Sequence, residues 1–175
     1  LLAGLAAGGL LATLETEGRN LAVEVLGKLY RARGEWLELA AICESRLTVA
    51  GDALRRAEIL RETAKIHEDH GRDLAAALAA IARAFPLQAG DRATERDLVR
   101  LADATGDYQT AAQAFHAAAA ATTDGHRAAE LRMSEARVAE HKLGDHRRAL
   151  VAYQAVLAAV AGEPDAVRGA VRTAA

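Results

Sequence analysis

The sequence predicts an all-α protein built from repeated helix pairs, and three observations carry that reading. Of 175 residues, 51% are hydrophobic but only 3% aromatic, and 45 are alanine. Short glycine–aspartate turn signals recur in two interleaved series that share one period, with glycines 37, 35 and 38 residues apart in the first. The stretches between them space their apolar residues as one face of a helix would. Such a chain is too apolar for disorder and too poor in proline and β-branched residues for a β-sandwich. One cysteine cannot build a disulfide framework. A formal net charge of -2 argues against a protein that coats nucleic acid.

Residues 1–19 read as the end of a preceding repeat. Their opening, Leu1 to Ala12, resembles the apolar core of a signal peptide, but it lacks a charged start and is too short to cross a bilayer. The chain starts at Leu1 and not at methionine, which points to a piece of something longer. Repeat 1 then covers 20–52, repeat 2 53–90, repeat 3 91–124 and repeat 4 125–162. Residues 163–175 form the first helix of a further repeat, whose Ala166-to-Ala175 stretch is no polar cap of the kind that ends a solenoid.

Within each repeat the first helix ends at one turn series: Gly34-Glu35-Trp36, Gly71-Arg72-Asp73, Gly106-Asp107-Tyr108 and Gly144-Asp145-His146. The second helix ends at the other: Gly51-Asp52, Gly90-Asp91, Asp124-Gly125 and Gly162-Glu163-Pro164-Asp165. Glycine suits the positive-φ residue that stops a helix, and aspartate suits the cap that starts the next. Val23, Leu26 and Tyr30 share a face in the first repeat, as do Leu60, Ala64 and His67 in the second. Two repeats carry an extra residue before the turn.

Leu26-Gly27-Lys28-Leu29-Tyr30, followed by Gly34 and Trp36, resembles the tetratricopeptide repeat. Its second helices call for a small, a large and a small residue at spacings of four and three. Ala77, Ile81 and Ala84 fit, as do Ala111, Phe115 and Ala118, and Ala149, Tyr153 and Val156 fit with one enlargement. The first repeat departs, with Leu39, Cys43 and Arg46 in those places, and the proline expected after the second helix is displaced to Pro86 and Pro164. The resemblance covers roughly residues 20–162 and is similar to the variable repeats of large bacterial scaffold proteins. It implies a right-handed α-solenoid of antiparallel helix pairs that works by protein–protein interaction. A HEAT-type solenoid is the architectural alternative, but it leaves the Gly-Asp-aromatic turns unexplained.

Little in the sequence suggests catalysis. Ser45 and Ser134 stand mid-helix outside any nucleophile elbow, Cys43 takes a packing position, and Gly8-Gly9 lacks the strand and lysine of a phosphate loop. His67 and His70 lie three apart, as a metal clasp would have them, but His67 holds the repeat's aromatic packing place. His141 and His146 flank a turn and are expected in solvent, while His116 and His126 have no companion at ligand spacing. The expectation is a non-enzyme with no catalytic residue, metal or cofactor.

The resemblance also implies that the first helices line a concave, ligand-binding face. The repeat register puts Lys28, Lys65, Arg100 and Arg137 there, with Glu24, Arg61, Arg96 and Met133 one turn earlier. Arg61 with Lys65, and Arg96 with Arg100, are like-charge pairs four apart, mildly destabilising unless an anion lies between them. An acidic peptide is the partner this suggests. The opposing reading is a plain solvated face, in which Glu68, Asp103 and Glu140 neutralise the cations three residues before them. Asn20, the only asparagine, lies at a helix start, so an asparagine-containing carboxylate clamp is not expected. The rivals are a regulatory or targeting arm of a larger multidomain enzyme, and an RNA-binding helical repeat, which pI ≈ 6.3 disfavours. Neither nucleic acid nor membrane is an expected partner. One buried thiol and no evident export signal suggest the cytoplasm.

Overall fold

The computed structural model describes residues 16–174, and every regular element among them is helical. Residues 1–15 lie outside the described residues; the last four positions of the expected preceding repeat form the start of the first helix. The order is α1 (Thr16–Arg33), α2 (Trp36–Ala41), α3 (Cys43–Val49), α4 (Ala53–Ile66), α5 (Leu74–Ala84), α6 (Arg92–Thr105), α7 (Tyr108–Ala121), α8 (Gly125–Val138), α9 (His146–Ala159) and α10 (Pro164–Ala174). Contacts divide the chain into two compact units, Leu1–Ala80 and Ile81–Ala175.

Aspartate starts most of these helices. Asp52, Asp73, Asp91, Asp107, Asp124 and Asp145 each accept a hydrogen bond from a backbone N–H in the first turn of the helix that follows. This satisfies donors that have no intrahelical partner. The helix stops at Gly34, Gly106 and Gly144 have φ of 67°, 75° and 65°, the left-handed region that glycine enters without a steric penalty.

The two repeats with an extra residue accommodate it in the same way. α4 runs on into a π-helical turn, His67–Gly71, and α8 into another, Ala139–Leu143. Each widened turn is closed by a 2.9 Å backbone bond, from Asp73 N–H to the His67 carbonyl and from Asp145 N–H to the Ala139 carbonyl. A single inserted residue widens one helical turn instead of shifting the whole repeat. In the second repeat the left-handed residue is therefore Arg72, with φ 50°, and not Gly71.

Repeat 1 departs further. Its second helix breaks at Ile42, whose φ of -93° and ψ of 12° separate α2 from α3. The Ile42 N–H still reaches the Glu38 carbonyl at 3.3 Å, and its own carbonyl accepts from Arg46 N–H at 2.9 Å. Pro86 lies in a 3-10 turn, Phe85–Gln88, near its start, where no backbone donor is needed.

In the first unit α1 packs on α2 and α3, and α4 packs on both of these. Val23, Tyr30, Leu39, Ile42 and Ile66 form its core, and the Trp36 ring stacks on His70 at 5.3 Å. In the second unit each helix from α6 to α10 packs on the next. Phe85 meets Phe115 edge-on at 5.8 Å. Tyr153 is buried among Ala136, Ala139, Ala149, Ala152 and Ala166. α10 closes over that ring at Gly169, where a β-carbon would lie 2.3 Å from Tyr153 Cζ.

Two outcomes follow for stability. Arg72→Gly removes a left-handed strain of about 1 kcal/mol, partly offset by a freer unfolded chain. A thermal melt should show a slightly raised midpoint, and a lowered one would contradict the assignment of the turn to residue 72. Gly169→Ala forces α10 off the Tyr153 ring and should cost about 2 kcal/mol, as core overpacking does. An unchanged melting temperature would mean that α10 does not pack there.

Candidate functional site

The eight expected site residues divide between the two units. The first unit holds Glu24 and Lys28 on α1, and Arg61 and Lys65 on α4; the second holds Arg96 and Arg100 on α6, and Met133 and Arg137 on α8. Arg61 and Met133 are half-buried and the others are exposed. Some of the cations are already paired. Arg100 Nη2 donates to Asp97 Oδ1 at 3.2 Å, and Arg137 Nη2 to Asp165 Oδ2 at 2.8 Å. Lys28, Lys65 and Arg96 form no ion pair with the described residues.

Two of the carboxylates expected to neutralise the cations bond elsewhere. Asp103 accepts from the Tyr108 hydroxyl at 3.0 Å and from Lys142 Nζ at 3.2 Å, which hold its pKa below the ordinary aspartate value. Glu140 accepts from Arg172 Nε at 2.7 Å and from the Tyr153 hydroxyl at 2.6 Å. The register also drifts in α6. Its buried Thr94, Leu98 and Leu101 repeat the spacing of Val23, Gly27 and Tyr30 in α1, so Val99, 43% exposed, takes the place of Lys28. Arg100 follows one residue later, about 100° further round the helix.

Sequence reasoning missed three buried charged groups. Arg127, 6% exposed, donates from Nε to the Ala89 carbonyl at 2.8 Å, from Nη2 to Glu95 at 2.7 Å and from Nη1 to Glu130 at 3.1 Å. Glu135, 2% exposed, accepts from Arg132 at 2.9 Å and Arg148 at 3.1 Å, with His116 Nδ1 3.1 Å away. Arg46, 5% exposed, donates from Nη2 to Glu62, which also receives Arg31 at 2.7 Å. Burial alone would raise the Glu62 pKa, but the bonds from Arg46 and Arg31 outweigh it and hold the carboxyl below its ordinary value. The one warning in the sequence was Arg46 itself, standing where the repeat calls for a small residue.

Three cavities accompany these groups. One of ≈ 360 Å³ in the first unit is lined by Glu24, Lys28, Arg31, Arg46 and Arg55. In the second unit, one of ≈ 620 Å³ surrounds the Glu135 network, and one of ≈ 270 Å³ holds Met133 and Arg137 beside Glu130, Glu163 and Asp165. The first is the most cationic. Among the described residues no group of three or more His, Cys, Asp or Glu is placed to hold a metal, and His70 lies against Trp36. No helix among them is long and apolar enough to cross a membrane. No protein-family model matches this chain, and no curated protein does.

Glu140 gives a pH dependence. The Arg172 hydrogen bond, opposed by burial and aided by Tyr153, lowers its pKa from 4.5 to about 2. A carboxyl depressed on folding stabilises the protein above its unfolded pKa and loses that contribution as pH falls toward the folded one. Stability measured by urea unfolding should therefore decline between pH 4.5 and about 2, and Glu140→Gln should flatten that decline. An equal slope in both proteins would show that the Arg172 contact does not form in solution.

Proposed function

We propose that this chain is a non-catalytic protein–protein interaction scaffold, a right-handed, tetratricopeptide-like α-solenoid that holds an acidic partner segment on the exposed faces of its first helices. The observation that carries this reading is the set Lys28, Lys65 and Arg96. These stay without an ion-pair partner among the described residues although Asp and Glu outnumber Lys and Arg by 24 to 22 in the chain. A cation left in water beside available carboxylates can still meet a ligand's anion, and surface pairing costs little to exchange.

Ion pairs between first helices support the stacked arrangement. Arg31 on α1 reaches Glu62 on α4, Arg127 on α8 reaches Glu95 on α6, and Arg137 on α8 reaches Asp165 on α10. These partners lie 31, 32 and 28 residues apart, close to one repeat. Within each unit, successive first helices thus sit side by side, as a solenoid requires.

The test is the fluorescence anisotropy of a labelled Glu/Asp-rich peptide titrated with the wild-type chain and with Lys65→Glu/Arg96→Glu, two exposed positions whose reversal leaves the core intact. Binding should weaken at least about tenfold, equivalent to roughly 1.4 kcal/mol, and should fall with added salt. Equal affinity of the two proteins, or no binding by the wild type, would refute the reading.

A further inference from the structure

We propose that the cavity between α1, α3 and α4 is an oxyanion site anchored by Arg46. This rests in part on the reading above, because an acidic partner would supply one such oxyanion, a carboxylate; free phosphate is the other source of the same chemistry.

The argument begins with a donor. Arg46 Nη1 is buried and has no hydrogen-bond partner, while Nη2 of the same guanidinium is bound to Glu62. Buried polar atoms are nearly always paired, and a charged donor is the costliest to leave unpaired. Arg127 provides the comparison inside the same chain. It is as deeply buried, yet Nε, Nη1 and Nη2 all reach acceptors. The orphaned donor of Arg46 is therefore particular to this site and is not a general feature of buried arginine in this fold.

The cavity that Arg46 lines is cationic. Lys28, Arg31, Arg46 and Arg55 line it with Glu24 as the one carboxylate. Arg31 and Arg46 share Glu62, and Arg55 Nη1 donates to Glu58 at 2.8 Å. Four cations thus face three carboxylates, counting every ion-pair partner of the lining, and one positive charge is uncompensated. Lys28 Nζ is unpaired among the described residues. At ≈ 360 Å³ the space has ample room for a carboxylate or phosphate group. An oxyanion seated there meets Lys28 and, once the Arg46 guanidinium turns toward the cavity, accepts from Nη1, a charge-assisted arrangement that neutral ligands cannot reproduce.

The experiment titrates inorganic phosphate and, separately, the Glu/Asp-rich peptide into the wild-type chain by calorimetry. Arg46→Met, Lys28→Gln and Lys65→Glu/Arg96→Glu are treated alike, each first checked for helicity and melting temperature. Phosphate should bind the wild type with one site. Arg46→Met should abolish that binding, and Lys28→Gln, an exposed change that leaves folding untouched, should weaken it severalfold. A peptide affinity lowered at least about tenfold by Arg46→Met identifies the partner's carboxylate as an occupant; phosphate binding lost with peptide affinity unchanged identifies the free anion. Should Arg46→Met fail to fold, Lys28→Gln decides alone. Two results overturn the inference: no phosphate binding to the wild type with peptide affinity indifferent to Arg46, or phosphate binding unaltered in both cavity variants. Peptide binding that responds to Lys65→Glu/Arg96→Glu but not to Arg46→Met sinks this site and leaves the scaffold reading standing. Arg46-dependent phosphate binding without any peptide binding does the reverse.

Discussion

Alanine governs how this chain packs. A helix whose buried face is mostly methyl groups gains little from each residue, so it must approach its neighbour closely to exclude water at all. In the second unit this gives a core in which Tyr153 is set among five alanines and covered by Gly169. With side chains this short, one aromatic ring fixes the spacing of two helices, and one added methyl group disturbs it. The few large residues, Phe85, Phe115 and Tyr153, are accordingly among the most completely buried.

A core so thin leaves work for charge. Arginine is long enough to cross from one first helix to the next, and it forms bridges to glutamate or aspartate between successive repeats. An ion pair of this kind contributes modestly when exposed. Its larger effect is on register, because a guanidinium gripping a carboxylate about one repeat away tolerates little sliding. The hydrophobic layer therefore sets the distance between helices, and the ionic layer sets their alignment.

The helices and their ends were legible in the sequence because they are written locally. Asp52, Asp91, Asp107, Asp124 and Asp145 cap the helices that follow them, and the turn glycines announce positive φ. An extra residue before two turns was visible, but its resolution as a π-helical turn was not, since widening a turn competes closely with shifting the repeat. The break at Ile42 carries no proline or glycine, so nothing local marks it. The ladder was read from turn spacing, and in α6 burial obeys a register one residue different, which spacing alone could not reveal. Partners 13 to 39 residues apart, such as Arg148 with Glu135 or Lys142 with Asp103, have no local signature either.

Arg127 and Arg46 show how a departure from pattern separates structure from site. Both bury a guanidinium, Arg46 where the repeat calls for a small residue, which is costly without acceptors. Around Arg127 the fold supplies a carbonyl and two carboxylates, so the group is consumed in holding α8 to the elements beside it. Around Arg46 it supplies Glu62 alone and leaves Nη1 unpaired, a deficit of roughly 1 to 3 kcal/mol that an apolar residue of similar size would avoid. The helix break at Ile42 lies four residues before Arg46, and the Ile42 carbonyl holds the Arg46 N–H. The irregular second helix thus carries the irregular side chain. It replaces the small–large–small packing of the other repeats with a buried cation facing a cavity, and the stability given up there is what an anion can restore.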